Sequence, residues 1–286
     1  MKLYMHPVAT TCRPVRLFIA ESGISVEERL VDILAGAQFA KSYADINPNA
    51  LLPLLEDGDL RLTESSAILK YLADKIGSPA YPRDLKERAK VNEMMDWINT
   101  NFYRDFGYGL CYPQLFPHLK RRSDEAQAAT LEFGRDQSKR WLGILDSHWL
   151  NSTKHFLCGY QITIADYFGA YLVSLGHAIK VDFATYPNVK RWLDNVAKLP
   201  NWAKVNEAFF GLVDSVSGQS FVSIPLAAAP ASQQPRVVRC DAPDDARRTE
   251  VSLTLLGRDR PRARSSGTPK SHRSRQRRSI AQDRFV

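Results

Sequence analysis

The reading turns on Asn49–Leu72, NALLPLLEDGDLRLTESSAILKYL. An apolar run carries Pro53 at its mouth, Asp57-Gly58 is a turn dipeptide, Leu60-Arg61-Leu62 alternates as a short strand, and Thr63-Glu64-Ser65-Ser66 opens an amphipathic helix. A proline donates no ladder hydrogen bond, so at a strand mouth it marks a start, an edge or a bulge. Two geometries are open there. One is an ordinary trans proline that begins the strand; the other is a cis Leu52–Pro53 bond, which turns the preceding backbone outward as a clamp for an extended peptide.

Upstream, Lys2 to Met5 reads as a strand, His6 to Thr11 as a turn, and Cys12 to Ser22 as a helix whose apolar face is Val15, Leu17-Phe18-Ile19 and Ala20, with Gly23 as its cap. Glu27 to Val31 alternates as a second strand, so the chain begins with a β-α-β unit of right-handed connection. A short helix around Phe39 to Ile46 ends at Asn47-Pro48. Joined to the opening stretch this makes β-α-β-α-β-β-α, the order of a thioredoxin-like domain, over residues 1–77. Pro79, Pro82 and the charged DLKER run predict a linker at 78–85.

Beyond Leu85 the period becomes helical. Val91, Met94, Ile98, Phe102 and Phe106 form one apolar face, which Cys111 to His118 is expected to break. Ser123 to Leu150 reads as a second long helix burying Leu131, Phe133, Trp141, Leu142, Leu145 and Trp149. Thr163-Ile164-Ala165-Asp166 is a capping box before a buried helix, Tyr167 to Leu175. Two further helices follow Tyr186-Pro187 and begin at Trp202. The fold class is α+β in two domains, with an all-helical unit at 86–215. From 216 to 286, Arg, Pro, Ser, Ala and Gln dominate, and the stretch is expected to be a disordered basic tail.

Composition sets limits on function. The chain of 286 residues carries a formal charge of +8, but 14 of its 39 Lys and Arg and only 6 of its 31 Asp and Glu lie from Pro225 onward, leaving 25 of each sign before it. The body is neutral, so the basic balance says nothing about what the folded part binds; nucleic acid is a partner only if the tail is functional. The four cysteines have neither CxxC spacing nor a paired framework and read as reduced thiols, and no metal site is expected. No run is long and apolar enough for a membrane span, and neither a membrane partner nor a signal peptide is expected; the location is expected to be cytoplasmic.

In a thioredoxin-like domain three stretches meet: the turn before the first helix, the loop before Pro53, and Glu64-Ser65. Pro53 offers a strand edge, Ser65 a helix N-terminus for a carboxylate, and Glu64 a partner for an α-ammonium group. Together they suit an extended γ-glutamyl peptide. At this point LPLLEDGDLRLTESSAILKYLADK, followed by YPRDLKERAKVNEMMDW, resembles a glutathione S-transferase of a theta-like, bacterial type; HPVATTCRPVRLF is similar to that family's start and ITIADYFGAYLV to its second-domain helix. The resemblance spans residues 1 to about 213.

It implies a cis proline at Pro53, Leu52 binding the cysteinyl backbone of glutathione, and Glu64 and Ser65 holding the γ-glutamyl end. It also implies a hydroxyl that lowers the pKa of the glutathione thiol, so that the thiolate adds to a small apolar electrophile in the helical domain. Glutathione is then a co-substrate and no other cofactor is needed; a homodimer and a role in detoxification are implied as well. Where family members carry the catalytic serine, this chain has Ala9, so Thr10 or Thr11 is expected to supply the hydroxyl, with Cys12 as a third candidate. Gln38 stands where a histidine is usual and Leu51 where a basic residue is common, with Lys41 as a possible compensation. The electrophile pocket is expected to include Asn99, Tyr103 and Arg104, with Tyr108 or Phe106 beside them. A non-catalytic glutathione-binding or scaffold protein of the same fold is the alternative reading.

Overall fold

The computed structural model describes residues 1–225. β1 (Lys2–Met5), α1 (Cys12–Glu21) and β2 (Glu27–Leu30) make the parallel β-α-β unit, and β3 (Leu54–Asp57) and β4 (Leu60–Leu62) the hairpin. β1 runs antiparallel to β3, with Leu3 opposite Leu55, and the sheet order is β2-β1-β3-β4. Leu3 and Leu55 are fully buried on one face with α1 and α3 (Ser65–Ile76), whereas Tyr4 points to the other face and meets Tyr43 of α2 (Lys41–Ala44) at 6.0 Å between ring centroids. This is the period-2 alternation of a strand covered on both sides. The helix expected at 39–46 is smaller than that: one 3₁₀ turn at Ala37–Phe39 and one α-helical turn.

The second half is helical. α4 (Leu85–Trp97) begins at Asp84, whose side chain accepts from the Lys86 and Glu87 amides. It continues without a break into a π-helical stretch, Ile98–Cys111, and then into α5 (Tyr112–Leu115). The break expected within Cys111–His118 falls late in that stretch: the helix runs on through Cys111 and Pro113 to Leu115 and ends where Phe116 turns extended ahead of Pro117. α6 (Asp124–Ile144) crosses this stretch so closely that a Cβ on Gly134 would lie 2.5 Å from the Gly109 carbonyl oxygen, and only glycine permits the approach. Phe133, expected in the core, is exposed, while Trp141 and Trp149 are half-buried.

α7 (Ile164–Ser174) is buried along its whole length and contacts α1, α3 and α4, so it is the post around which both halves are assembled. Asp166 anchors it. One carboxylate oxygen accepts from the Thr163 amide at 2.8 Å and hydroxyl at 3.0 Å, the other from the Leu157 amide at 2.7 Å and the Trp192 indole at 2.9 Å. Burial pushes the Asp166 carboxyl up to about 6 against these four donors. α8 (Pro187–Val196) and α9 (Trp202–Ser215) complete the bundle.

Residues 216–225 do not behave as the tail that the sequence suggested. The Gln114 side chain donates to the Val222 carbonyl at 3.0 Å and accepts from its amide at 2.7 Å, Lys180 donates to the Gln219 carbonyl, and Ile224 is buried. The remainder of that tail, 226–286, and with it Cys240, lies outside the described residues.

Candidate active site

A cavity of about 770 Å³ lies between the sheet domain and the helical half. Its walls include all ten residues nominated from the sequence: Thr10, Thr11, Gln38, Leu52, Pro53, Glu64, Ser65, Asn99, Tyr103 and Arg104. The fold explains the convergence. The turn at 9–11 follows β1, Pro53 leads into β3, Glu64 precedes α3, and Asn99 to Arg104 lie on the π-helical stretch.

The Leu52–Pro53 bond is cis. The Leu51 carbonyl accepts from the Tyr43 hydroxyl and the Asn47 side-chain amide, each at 2.7 Å, which fixes the loop from behind. Glu64 has φ +62 and ψ +111, a conformation a non-glycine residue adopts only when its surroundings impose it, and strain of this kind concentrates at ligand clamps. Its carboxylate has no hydrogen bond or ion pair among the described residues. Ser65 is buried at the first turn of α3, the positive end of a helix of 12 residues. Gln38 is buried as well, and its Oε1 has no hydrogen-bond partner among the described residues, an acceptor left unsatisfied on a cavity wall.

The two threonines differ. Thr11 donates its hydroxyl to the Leu52 carbonyl at 2.9 Å, so its proton is already used in tying the turn to the cis-proline loop. Thr10 is buried with its hydroxyl beside that of Tyr112, with which it interacts. The Tyr112 hydroxyl in turn hydrogen-bonds that of Tyr103. Burial pushes both phenols far above their ordinary value, so each keeps its proton. Tyr103 also bonds the Tyr108 hydroxyl, so the four hydroxyls of Thr10, Tyr112, Tyr103 and Tyr108 carry four protons for three contacts, which leaves one to donate elsewhere.

Other expectations need correction. Cys12 is sealed in the core, is no part of the cavity wall, and burial pushes its thiol up to about 12, so it supplies neither a thiolate nor an exchange partner. Phe106 is core; Tyr108 is the ring that reaches the cavity. Arg104 is committed to Asp105 by two bonds, at 2.8 and 3.0 Å, and Asp105 also takes the Trp141 indole at 2.7 Å. Lys41 pairs with Asp45 and lines no part of the cavity.

Tyr112, Phe116 and His118 are wall residues that sequence reasoning missed. Tyr108, Tyr112, Phe116 and His118 form a run of ring contacts at 5.1, 5.6 and 5.9 Å between successive centroids. Leu34, Phe39 and Leu51 are exposed side chains that also line the cavity, so its walls combine the polar Glu64, Ser65 and Gln38 with apolar and aromatic side chains.

Comparison with known proteins bears on both halves. Residues 1–74 match the family model for the glutathione S-transferase N-terminal domain, and residues 110–200 that for its C-terminal domain. The human glutathione S-transferase theta-2B is 36% identical over 168 residues, which span 58% of this chain and 67% of that protein. The mouse glutathione S-transferase theta-2 is 30% identical over 248 residues, 84% of this chain and 98% of that one. Among solved structures, human glutathione transferase theta-2 in complex with glutathione and an unknown ligand superposes with a TM-score of 0.67 at 28% identity, covering 78% of this chain and 93% of that one. A glutathione transferase homologue from Drosophila mojavensis with bound glutathione gives 0.67 at 26% identity over 78% and 98%. Two family models placed in order along one chain, and a relative matched over nearly its full length, allow one conclusion: the chain belongs to the glutathione S-transferase family.

Proposed function

We propose that this transferase is of the theta-like kind, binds glutathione across the Leu52–Pro53 loop, and adds its thiolate to a small apolar electrophile beside the aromatic side chains of the cavity. The observation that carries the reading is the joining, in one cavity, of a cis Leu52–Pro53 bond, a strained Glu64 whose carboxylate has no partner among the described residues, and Ser65 at a helix N-terminus. Leu52 meets the cysteinyl backbone, Glu64 the α-ammonium group, and Ser65 with the α3 amides the α-carboxylate. The Gln38 side chain, whose Nε2 is the donor of its amide, is assigned to the glycyl carboxylate. It carries no charge, so its bond is weaker than one from a cation.

For the thiolate, Thr11 acts by holding Leu52, and the donor belongs to the cluster of Thr10, Tyr112 and Tyr103. The thiol proton leaves to water, and a hydroxyl that keeps its own proton stabilises the sulfur anion. Asn99 and Tyr103 border the electrophile, with Tyr108 and Phe116. Arg104, held by Asp105, shapes the wall rather than clamping a leaving group.

A homodimer is the assembly proposed; the exposed apolar side chains Leu85 and Phe133 would gain from cover. A cytoplasmic location is proposed together with the family assignment; among the described residues no helix is long and apolar enough to cross a membrane. The bacterial type rests on the sequence resemblance alone, since the relatives named above are animal proteins. Nucleic acid stays a partner only through the tail beyond residue 225. Calorimetry with glutathione, together with turnover of an activated aromatic halide, tests the reading. Binding with turnover, both lost in Glu64→Gln, is expected; ordinary binding without turnover of any electrophile would favour the non-catalytic alternative.

A further inference from the structure

Arg13 is fully buried, and two of its three guanidinium nitrogens have no partner among the described residues. Nη1 donates to the Asn206 side-chain carbonyl at 2.8 Å, while Nε and Nη2 have no acceptor among the described residues. Its planar group lies 3.7 Å from the Phe209 ring centroid and 5.0 Å from that of Tyr171. Aromatic faces offset part of the cost of burying a cation, but they carry no charge to neutralise it. Arg13 has no ion pair among the described residues: Glu28 of β2 is taken by Arg16 with bonds of 2.7 and 3.1 Å, and Glu21 of α1 accepts from Asn201 at 2.7 Å.

The groups that act on Arg13 most are Tyr171 of α7, Tyr112 and Tyr103 of the cavity helix, and Cys12 beside it; His177 feels it too. The phenols and the thiol are neutral at pH 7, so no anion among them answers the charge. Proteins rarely leave a buried cation unanswered, since the penalty is several kcal/mol per ion. Arg13 sits at the second residue of α1, directly after the turn at 9–11 that lines the cavity, and its charge has the sign of the helix's own positive end.

We propose that Arg13 is an electrostatic element of the glutathione site, a buried charge kept unneutralised by the protein and balanced by the thiolate when glutathione is bound. This rests on the glutathione reading above and adds a second source of thiolate stabilisation to the hydroxyl cluster. The fold tolerates the apo-state penalty because the bound anion recovers it.

The test uses the full-length protein and two variants. Arg13→Gln keeps an amide donor for Asn206 and removes the charge; Arg13→Lys keeps the charge and loses the planar fork. Glutathione and S-methylglutathione, which has no ionisable sulfur, are titrated into each, and the thiolate absorbance of bound glutathione is followed against pH. Arg13→Gln is expected to raise the bound thiol pKa by about one unit, a roughly tenfold loss of thiolate on the acid side, with unchanged S-methylglutathione affinity. Arg13→Lys is expected to restore most of that shift. Equal weakening of both ligands in Arg13→Gln, or a bound thiol pKa that does not move, would show that Arg13 only joins α1 to α9 and would overturn the proposal. If Arg13→Gln does not fold, a bound thiol pKa raised in Arg13→Lys as far as one unit overturns it equally. Wild-type protein that binds neither ligand refutes the glutathione reading itself, a result distinct from these.

Discussion

Replacing Thr11 by valine separates positioning from proton donation. Valine keeps the β-branched shape, and Thr11 makes no side-chain cap for α1, so the substitution removes little besides the bond to the Leu52 carbonyl at 2.9 Å. A neutral, half-buried hydrogen bond contributes about 1 kcal/mol net. That is the loss of stability expected in urea unfolding. If the whole of it appears in binding, through a looser Leu52 peptide, glutathione affinity falls about fivefold. The bound thiol pKa should stay at its wild-type value, because the Thr11 proton is spent on Leu52 and not on sulfur. Thr10→Val and Tyr112→Phe, which disturb the hydroxyl cluster, should each raise it. The measurements are calorimetric affinity and the pH titration of bound thiolate absorbance. A Thr11→Val protein with unchanged affinity and a bound thiol pKa raised by a unit or more would refute this division of labour and make Thr11 the donor.

Asp166→Asn leaves two of four converging donors facing an amide nitrogen and should cost about 3 kcal/mol or more in urea unfolding at pH 7, with glutathione-site geometry lost only as the fold is lost. Burial raises the Asp105 carboxyl, but the bonds from Arg104 and Trp141 outweigh it and hold the group below its ordinary value, so its contribution to stability is complete above that value and disappears as pH falls through the lowered one. Trp141→Phe should therefore lose less stability than wild type as the pH falls below the ordinary carboxylate range, read from unfolding midpoints at each pH. Gln114→Leu removes both bonds to Val222 and should speed hydrogen exchange at residues 219–224, while the electrophile KM rises a few-fold because Gln114 lies next to the wall formed by Phe116 and His118.

The parts of the site legible in the sequence are those fixed by local backbone chemistry. A proline at a strand mouth, an Asp-Gly reversal and an acidic residue before a serine at a helix start each constrain a few neighbouring residues, so Leu52, Pro53, Glu64 and Ser65 could be located without knowing what faces them. Side-chain direction was not legible in the same way. Thr10 and Thr11 are chemically equal in the sequence, and only the approach of Leu52 on one side and Tyr112 on the other assigns them different partners. Tyr112 was hidden for a reason of winding. At about 100° per residue, an α-helix places a residue nine positions on at the opposite face. On that count, if Tyr103 faces the cavity, Tyr112 should face away. The stretch Ile98–Cys111 is instead π-helical, with bonds from i to i+5 and more than four residues per turn, which brings Tyr103, Tyr108 and Tyr112 to one side. The hydroxyl cluster therefore depends on the helix being overwide at this point, and its close crossing with α6 at Gly109 and Gly134 holds that same segment. An alanine at Gly134 would push the segment outward by way of the Gly109 carbonyl, so it should disturb the bound thiol while touching neither glutathione nor any hydroxyl.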